Sequence, residues 1–284
     1  MHELMLANGA TKPRKGPGGV DSGQAYDSLA SRYDNLLLDN PVLAHSASVS
    51  LGLVKETLAS SQHILEIGCG TGRETLEIAS LGKVVVACDP SNESLAILRQ
   101  KALHRGLSER ILTRNLSASK VATLVDEFGK HTFDGAYASF SLSYEPDLSV
   151  VPDQVWDLLK PGSPFLCSIF NRFCASEIVL LAPFLLPRRA LRRLEGWTEL
   201  PVDKHSVIVK SYTPRQVRRI FAPRFSLRGV WAIPAIIPPH YLHLLVRLSG
   251  PLRPAWERFD VRLNHVWPFR NFGSHTCYHF QATG

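Results

Sequence analysis

The stretch "ILEIGCGTGRETLEIA", residues 64–79, places glycine at alternate positions, Gly68, Gly70 and Gly72. The apolar "HILEIG" before the glycines is short and reads as a buried strand. "GRETLEIASL" after them reads as a helix. A glycine-rich turn between strand and helix lets main-chain N–H groups face a ligand closely, with the helix N-terminus behind them. The dinucleotide pattern G-x-G-x-x-G would need a glycine where the chain has Arg73, so a nicotinamide-type reading fits poorly.

Outward from this turn, strands and helices alternate. "KVVVACD" is a continuous apolar strand that suits a sheet covered on both faces. "SNESLAILRQKALHRG" is a helix with Ser91 as N-cap and Gly106 as its stop. "ERILTRN", "FDGAYASFSL" and "PFLCSIFN" read as further strands, with helices in "SASKVATLVDEFG" and "DQVWDLLKPG" between them. This order calls for an α/β fold with a doubly wound, mostly parallel sheet. Before it, "AYDSLASRYDNLLL" puts Tyr26, Leu29, Tyr33, Leu36 and Leu37 on one helical face, Pro41 interrupts, and a second helix runs to about Leu58. Residues 1–21 read as a disordered tail. After Asn171 the rhythm changes. Residues 172–284 read as substrate-side additions and last strands on a core of residues 22–171. "TPRQVRRIFA" has Thr213 as N-cap, "RFSLRGVWAI" and "GSHTCYHFQAT" read as strands, and "VDKHSVIVKSY" is ambiguous.

The motif "EIGCGTG" (residues 66–72) resembles that of the class I S-adenosylmethionine-dependent methyltransferases: an acidic residue, then G-x-G-x-G, after the first strand. "VVVACDP" supplies the second mark, Asp89, an acidic residue ending the second strand 21 residues after Gly68. The resemblance covers residues 22–171 well and the last strands loosely. It implies a seven-stranded Rossmann-like sheet, S-adenosyl-L-methionine as cofactor, and roles for particular residues. Gly68, Cys69, Gly70 and Gly72 would form the turn against the methionine portion, with Glu66 orienting that turn or receiving the amino group. Asp89 would hold the ribose. Asn115 and Leu116 stand where the adenine is clasped, although many members have Asp in place of Asn115. Ser139, ending the fourth strand, lies where cofactor and acceptor meet. Tyr26 and Tyr33 sit on a helix that lids the cofactor.

Composition adds a partner question. Residues 1–170 hold 15 Lys and Arg against 19 Asp and Glu, whereas residues 171–284 hold 17 against 6. A basic second part suits an anionic or partly hydrophobic small molecule, or a membrane surface met through "IVLLAPFLLP" and Arg188, Arg189, Arg192 and Arg193. RNA is the alternative partner, but no RNA-binding module is evident and no stacking aromatics interleave the arginines. A non-catalytic binding protein on the same fold is a third reading. His240 in "IIPPHYLHL" is the candidate catalytic residue, on a proline-rich loop after a late strand. His275, Cys277 and His279 alternate on one strand face without an evident fourth ligand, so no metal is expected. Five cysteines without a C-x-x-C and no signal-peptide pattern point to a cytoplasmic protein.

Overall fold

The structure is a computed structural model that describes residues 21–181 and 192–284. Residues 1–20 of the tail expected at residues 1–21 lie outside it, and so do Arg188 and Arg189. Asp21 already belongs to the domain, because its carboxylate caps the first helix by accepting from Gly23 N at 2.9 Å.

Helix α1 (Ser22–Asp39) leads into α2 (Pro41–Thr57), where Asn40 accepts from the N–H groups of Val42 and Leu43 and the proline takes the first turn. The core then runs β1 (His63–Ile67), α3 (Arg73–Ser80), β2 (Val84–Cys88), α4 (Asn92–His104), β3 (Ile111–Arg114), α5 (Val125–Phe128), β4 (Gly135–Ala138), α6 (Val151–Trp156) and β5 (Pro164–Phe170). Ser91 caps α4 as its sequence predicts, accepting from Ser94 N. The helix expected over "SASKVATLVDEFG" is mostly a 3-10 segment, residues 118–124, with only one α-turn after it.

The second part holds α7 (Ala175–Leu181), a separate hairpin of β6 (Trp197–Val202) and β7 (His205–Lys210), then α8 (Pro214–Phe221), β8 (Phe225–Ile233), α9 (His243–Leu248), α10 (Arg253–Leu263) and β9 (His275–Ala282). The ambiguous "VDKHSVIVKSY" is therefore the turn and second strand of a hairpin. Its turn residue Asp203 takes a left-handed φ of 51°. Among the described residues, no helix is long and apolar enough to cross a membrane.

The seven-stranded sheet has the order β3-β2-β1-β4-β5-β9-β8. The first five strands pair in parallel, and β9 runs antiparallel between β5 and β8. Alternate residues of the central strands feed two cores. Leu65, Ile67, Val86 and Ala136 pack with Val121, Val151 and Phe221 on one face. Ile64, Val85, Ala87 and Tyr137 pack with Leu53, Leu76 and Leu98 on the other. Each fully buried valine, leucine, isoleucine or phenylalanine among them contributes about 1.5–3 kcal/mol. Chain order reverses between β1 and β4, and in open α/β sheets the crevice at the strands' carboxyl ends opens there.

Candidate active site

The crevice is a cleft of about 1040 Å³, its open mouth included. The glycine turn forms its floor, and the three glycines do different work. All have positive φ: 77° at Gly68, 52° at Gly70 and 83° at Gly72. A Cβ on Gly68 would stand 2.1 Å from Ser141 Cβ, and one on Gly72 would stand 2.1 Å from Leu98 Cδ1. These two are required by packing against the segment after β4 and against α4. A Cβ on Gly70 would meet nothing within 4 Å, because Gly70 faces the cleft. Of the glycines expected at the ligand, Gly72 is turned away from it.

Asp89 ties the floor together. Its Oδ2 accepts from Gly70 N at 2.8 Å and its Oδ1 from Ser91 N at 2.9 Å. Both oxygens keep lone pairs free, and the residue lines the cleft. Glu66 also lines it, with Oε2 accepting from Thr75 Oγ1 at 2.5 Å. Burial pushes the Glu66 carboxyl up to about 8, against the pull of the Thr75 hydroxyl. Burial raises Asp89 too, opposed by the N–H groups of Ser91 and Gly70, and raises Glu74, opposed by the neighbouring Arg73. Three carboxyls that water would ionise freely are thus held in one desolvated wall.

The opposite wall is aromatic. Tyr26, Ala30, Tyr33 and Leu37 of α1 line the cleft at helical spacing. The Tyr26 hydroxyl donates to the Tyr144 hydroxyl at 2.7 Å, and the Tyr26 ring meets those of Tyr33 and Tyr144 edge-on, at 6.1 and 5.6 Å. Burial raises all three phenols, Tyr33 to about 12, so they stay neutral. The neighbouring face of α1 latches it to the floor. Asp27 accepts from Ser91 Oγ at 2.6 Å and Glu93 N at 3.1 Å. Asp34 accepts from Thr71 Oγ1 at 2.6 Å and Lys101 Nζ at 2.5 Å.

Cys69, Leu116 and Ser139 line the cleft as well. Ser139 Oγ lies 3.0 Å from Ser50 Oγ, and both hydroxyls serve Glu74. Asn115 does not reach the cleft. Its amide donates to the carbonyls of Asp89 and Pro90 at 3.1 and 2.9 Å, which braces the loop after β2. His240 is not among the lining residues either. Its loop is drawn elsewhere: Asp260 Oδ1 accepts from the N–H groups of Ala235, Ile236 and Ile237 at 2.9, 2.7 and 3.0 Å, and Asn40 donates to the His240 carbonyl at 3.0 Å.

Sequence reasoning passed over Thr71, Arg73, Glu74, Tyr144 and Glu145 of the lining, and the latch aspartates. Asp27 and Asp34 are seven residues apart, two helical turns, and that spacing was their one sequence signal. Arg193 corrects a further expectation. It is a buried residue whose Nε lies 2.5 Å from Glu177 Oε2, with its guanidinium 3.9 Å over the Phe170 ring, and not part of an exposed basic face.

Residues 64–162 match the family model described as a methyltransferase domain. The chain is 33% identical over 112 residues to the sterol 4-C-methyltransferase strm-1 of Caenorhabditis elegans, covering 39% of this chain and 32% of that protein. It spans between 32% and 59% of the length of the first curated relatives it matches. The fold resembles the cyclase SpnF, with TM-score 0.62, 17% identity and coverage of 92% of this chain and 95% of that one. It also resembles the 1,6-didemethyltoxoflavin-N1-methyltransferase of Burkholderia thailandensis, solved with S-adenosylhomocysteine, with TM-score 0.57, 16% identity and coverage of 96% and 94%.

Proposed function

Because this chain carries a domain of the class I S-adenosylmethionine-dependent methyltransferases, we propose that it transfers a methyl group from S-adenosylmethionine to a small, partly hydrophobic acceptor. The carrying observation is the pairing at the cleft floor of open main chain at Gly70 with the Asp89 carboxylate it donates to. The residues present fit the cofactor. Gly70 leaves a cradle that any side chain would fill. Glu66, Glu74 and Asp89, all raised by burial, form a wall that a sulfonium and an ammonium group would relieve.

When bound, the cofactor supplies an electrophilic methyl group on a positive sulfur. The chain supplies position and desolvation. Asp89 has spare lone pairs for the ribose hydroxyls. Leu116, Ser117 and Ala118 offer a surface for the adenine, in place of the Asn115 side chain. Latched α1 brings Tyr26 and Tyr33 over the opening and keeps water from the reacting groups. Holding two reactants in line is worth about 7–11 kcal/mol. Positioning of this kind needs no histidine, and His240 is not among the residues lining the cleft.

The aromatic wall of Tyr26, Tyr33, Phe140 and Tyr144 favours a flat or aliphatic acceptor. The sterol relative supports the same direction. The five cysteines are unpaired and buried, which supports a reducing, cytoplasmic setting.

The test is incubation of the full chain with methyl-labelled S-adenosylmethionine and fractionated cell extract. Label is expected in organic-soluble small molecules. Label in RNA would replace this reading with the nucleic-acid one. No transfer to any fraction, alongside tight S-adenosylhomocysteine binding by calorimetry, would make the chain a binding protein on a methyltransferase fold.

A further inference from the structure

The basic second part carries an exposed surface that the cleft does not use. Helix α10 turns one face inward: Trp256 packs with Val42, Ile237 and Val246, and Asp260 is 1% exposed. Its other face is apolar where water would favour polar residues. Phe259 is 58% exposed, and just before the helix Leu248 and Leu252 are 73% and 70% exposed. Leu252 and Phe259 converge, since with Ala255 they line an open groove together with Ile236 and Trp256, while Leu248 lies four residues before Leu252 at the end of α9.

Arginines frame this face. Arg258 and Arg262 lie one turn apart on α10, and Arg247 precedes Leu248; all three are exposed. Residues 240–272 contain five arginines and two acids, and both acids are committed. Glu257 lies 3.2 Å from Arg253. Asp260 is buried, with Oδ2 at 3.0 Å from His45 Nε2. Among the described residues the face is therefore cationic and apolar at once.

We propose that the outer face of α9 and α10 docks onto anionic lipid bilayers. Leucine and phenylalanine side chains enter the acyl boundary while neighbouring arginines meet lipid phosphates. Charge complementarity selects this partner. An RNA would use the arginines but not Leu248 and Leu252, and a second copy of the chain would set like charges face to face. The surface differs from the one expected around Arg193, which is buried under Phe170.

The experiment is co-sedimentation of the full chain with vesicles of phosphatidylcholine, with and without phosphatidylglycerol. Binding is expected only with the anionic lipid. Arg258→Ser with Arg262→Ser is expected to lower the partition coefficient about 30-fold, near fivefold for each arginine. Leu248→Ser with Leu252→Ser and Phe259→Ser is expected to lower it about tenfold or more. These residues are exposed, and thermal melts and S-adenosylhomocysteine affinity on the same samples report that each variant is folded. Equal binding to both vesicle types overturns the proposal. So does wild-type binding by the triple-serine variant, or a concentration-dependent dimer that this variant abolishes. Vesicle binding is read without cofactor, so its outcome is separate from that of the methyl-transfer reading.

Discussion

Asp89 and Asp260 are two buried aspartates that gather main-chain N–H groups from irregular segments following strands, and they end in opposite situations. Asp89 takes one N–H on each oxygen and faces an open cleft. Asp260 takes three N–H groups on one oxygen and His45 on the other, and lies outside that cleft. A carboxylate filled by its own chain is a structural pin. A carboxylate with acceptor capacity left over, beside a glycine with nothing over its α-carbon, is a place for something else. The difference lies in the count of donors, since both residues are buried aspartates that bind the loop following a strand.

The comparison breaks most visibly at Asp260→Ala. Orphaning three N–H groups, two of them buried, and His45 should cost about 3–5 kcal/mol of stability, read by urea denaturation. S-adenosylhomocysteine affinity of the remaining folded protein should change little. A loss of affinity larger than the loss of stability would erase the contrast. Gly68→Ala should come next, at about 1–3 kcal/mol of stability from overpacking against Ser141, while Gly70→Ala should spare stability more and weaken nucleoside binding. Asp89→Ala should lower S-adenosylhomocysteine affinity roughly 30-fold, about 2 kcal/mol, by calorimetry. Unchanged affinity would remove the ribose role.

Proton linkage at Glu66 gives a smaller effect. Its carboxyl sits at about 8 in the folded chain against an ordinary 4.5, so between these values the folded state binds more protons than the unfolded one. Stability therefore falls as pH rises across that window. Glu66→Gln should flatten this slope in melting temperatures taken across the window, and a slope that persists would locate the proton elsewhere. Tyr26→Phe should have the smallest effect, about 1 kcal/mol for one neutral hydrogen bond to Tyr144, seen as faster cofactor dissociation in stopped flow.

The core was legible because its information is local. Short apolar runs, a serine cap at Ser91 and glycine stops mark β1 to β5 directly. The cleft floor was legible through "EIGCGTG" and Asp89. What stayed hidden depends on partners far along the chain. Arg193 stands in a run of basic residues and looks like a surface residue, yet Glu177, Phe170 and Ser274 enclose it. Asn115 is a plausible ligand contact until its amide is seen to be used by two carbonyls. His240 stands on a loop whose course is fixed by an aspartate 20 residues later. The β6–β7 hairpin was missed because its turn, Asp203 and Lys204, carries no glycine.

The position of β9 bears on how the chain is made. This strand inserts between β5 and β8, so the sheet has an open seam until residue 282 has cleared the ribosome. Without β9 the chain holds the glycine turn and Asp89 but leaves β8 and the outer edge of β5 unpaired. Closing the sheet therefore awaits β9, and a chaperone that shields those edges would act before β9 docks.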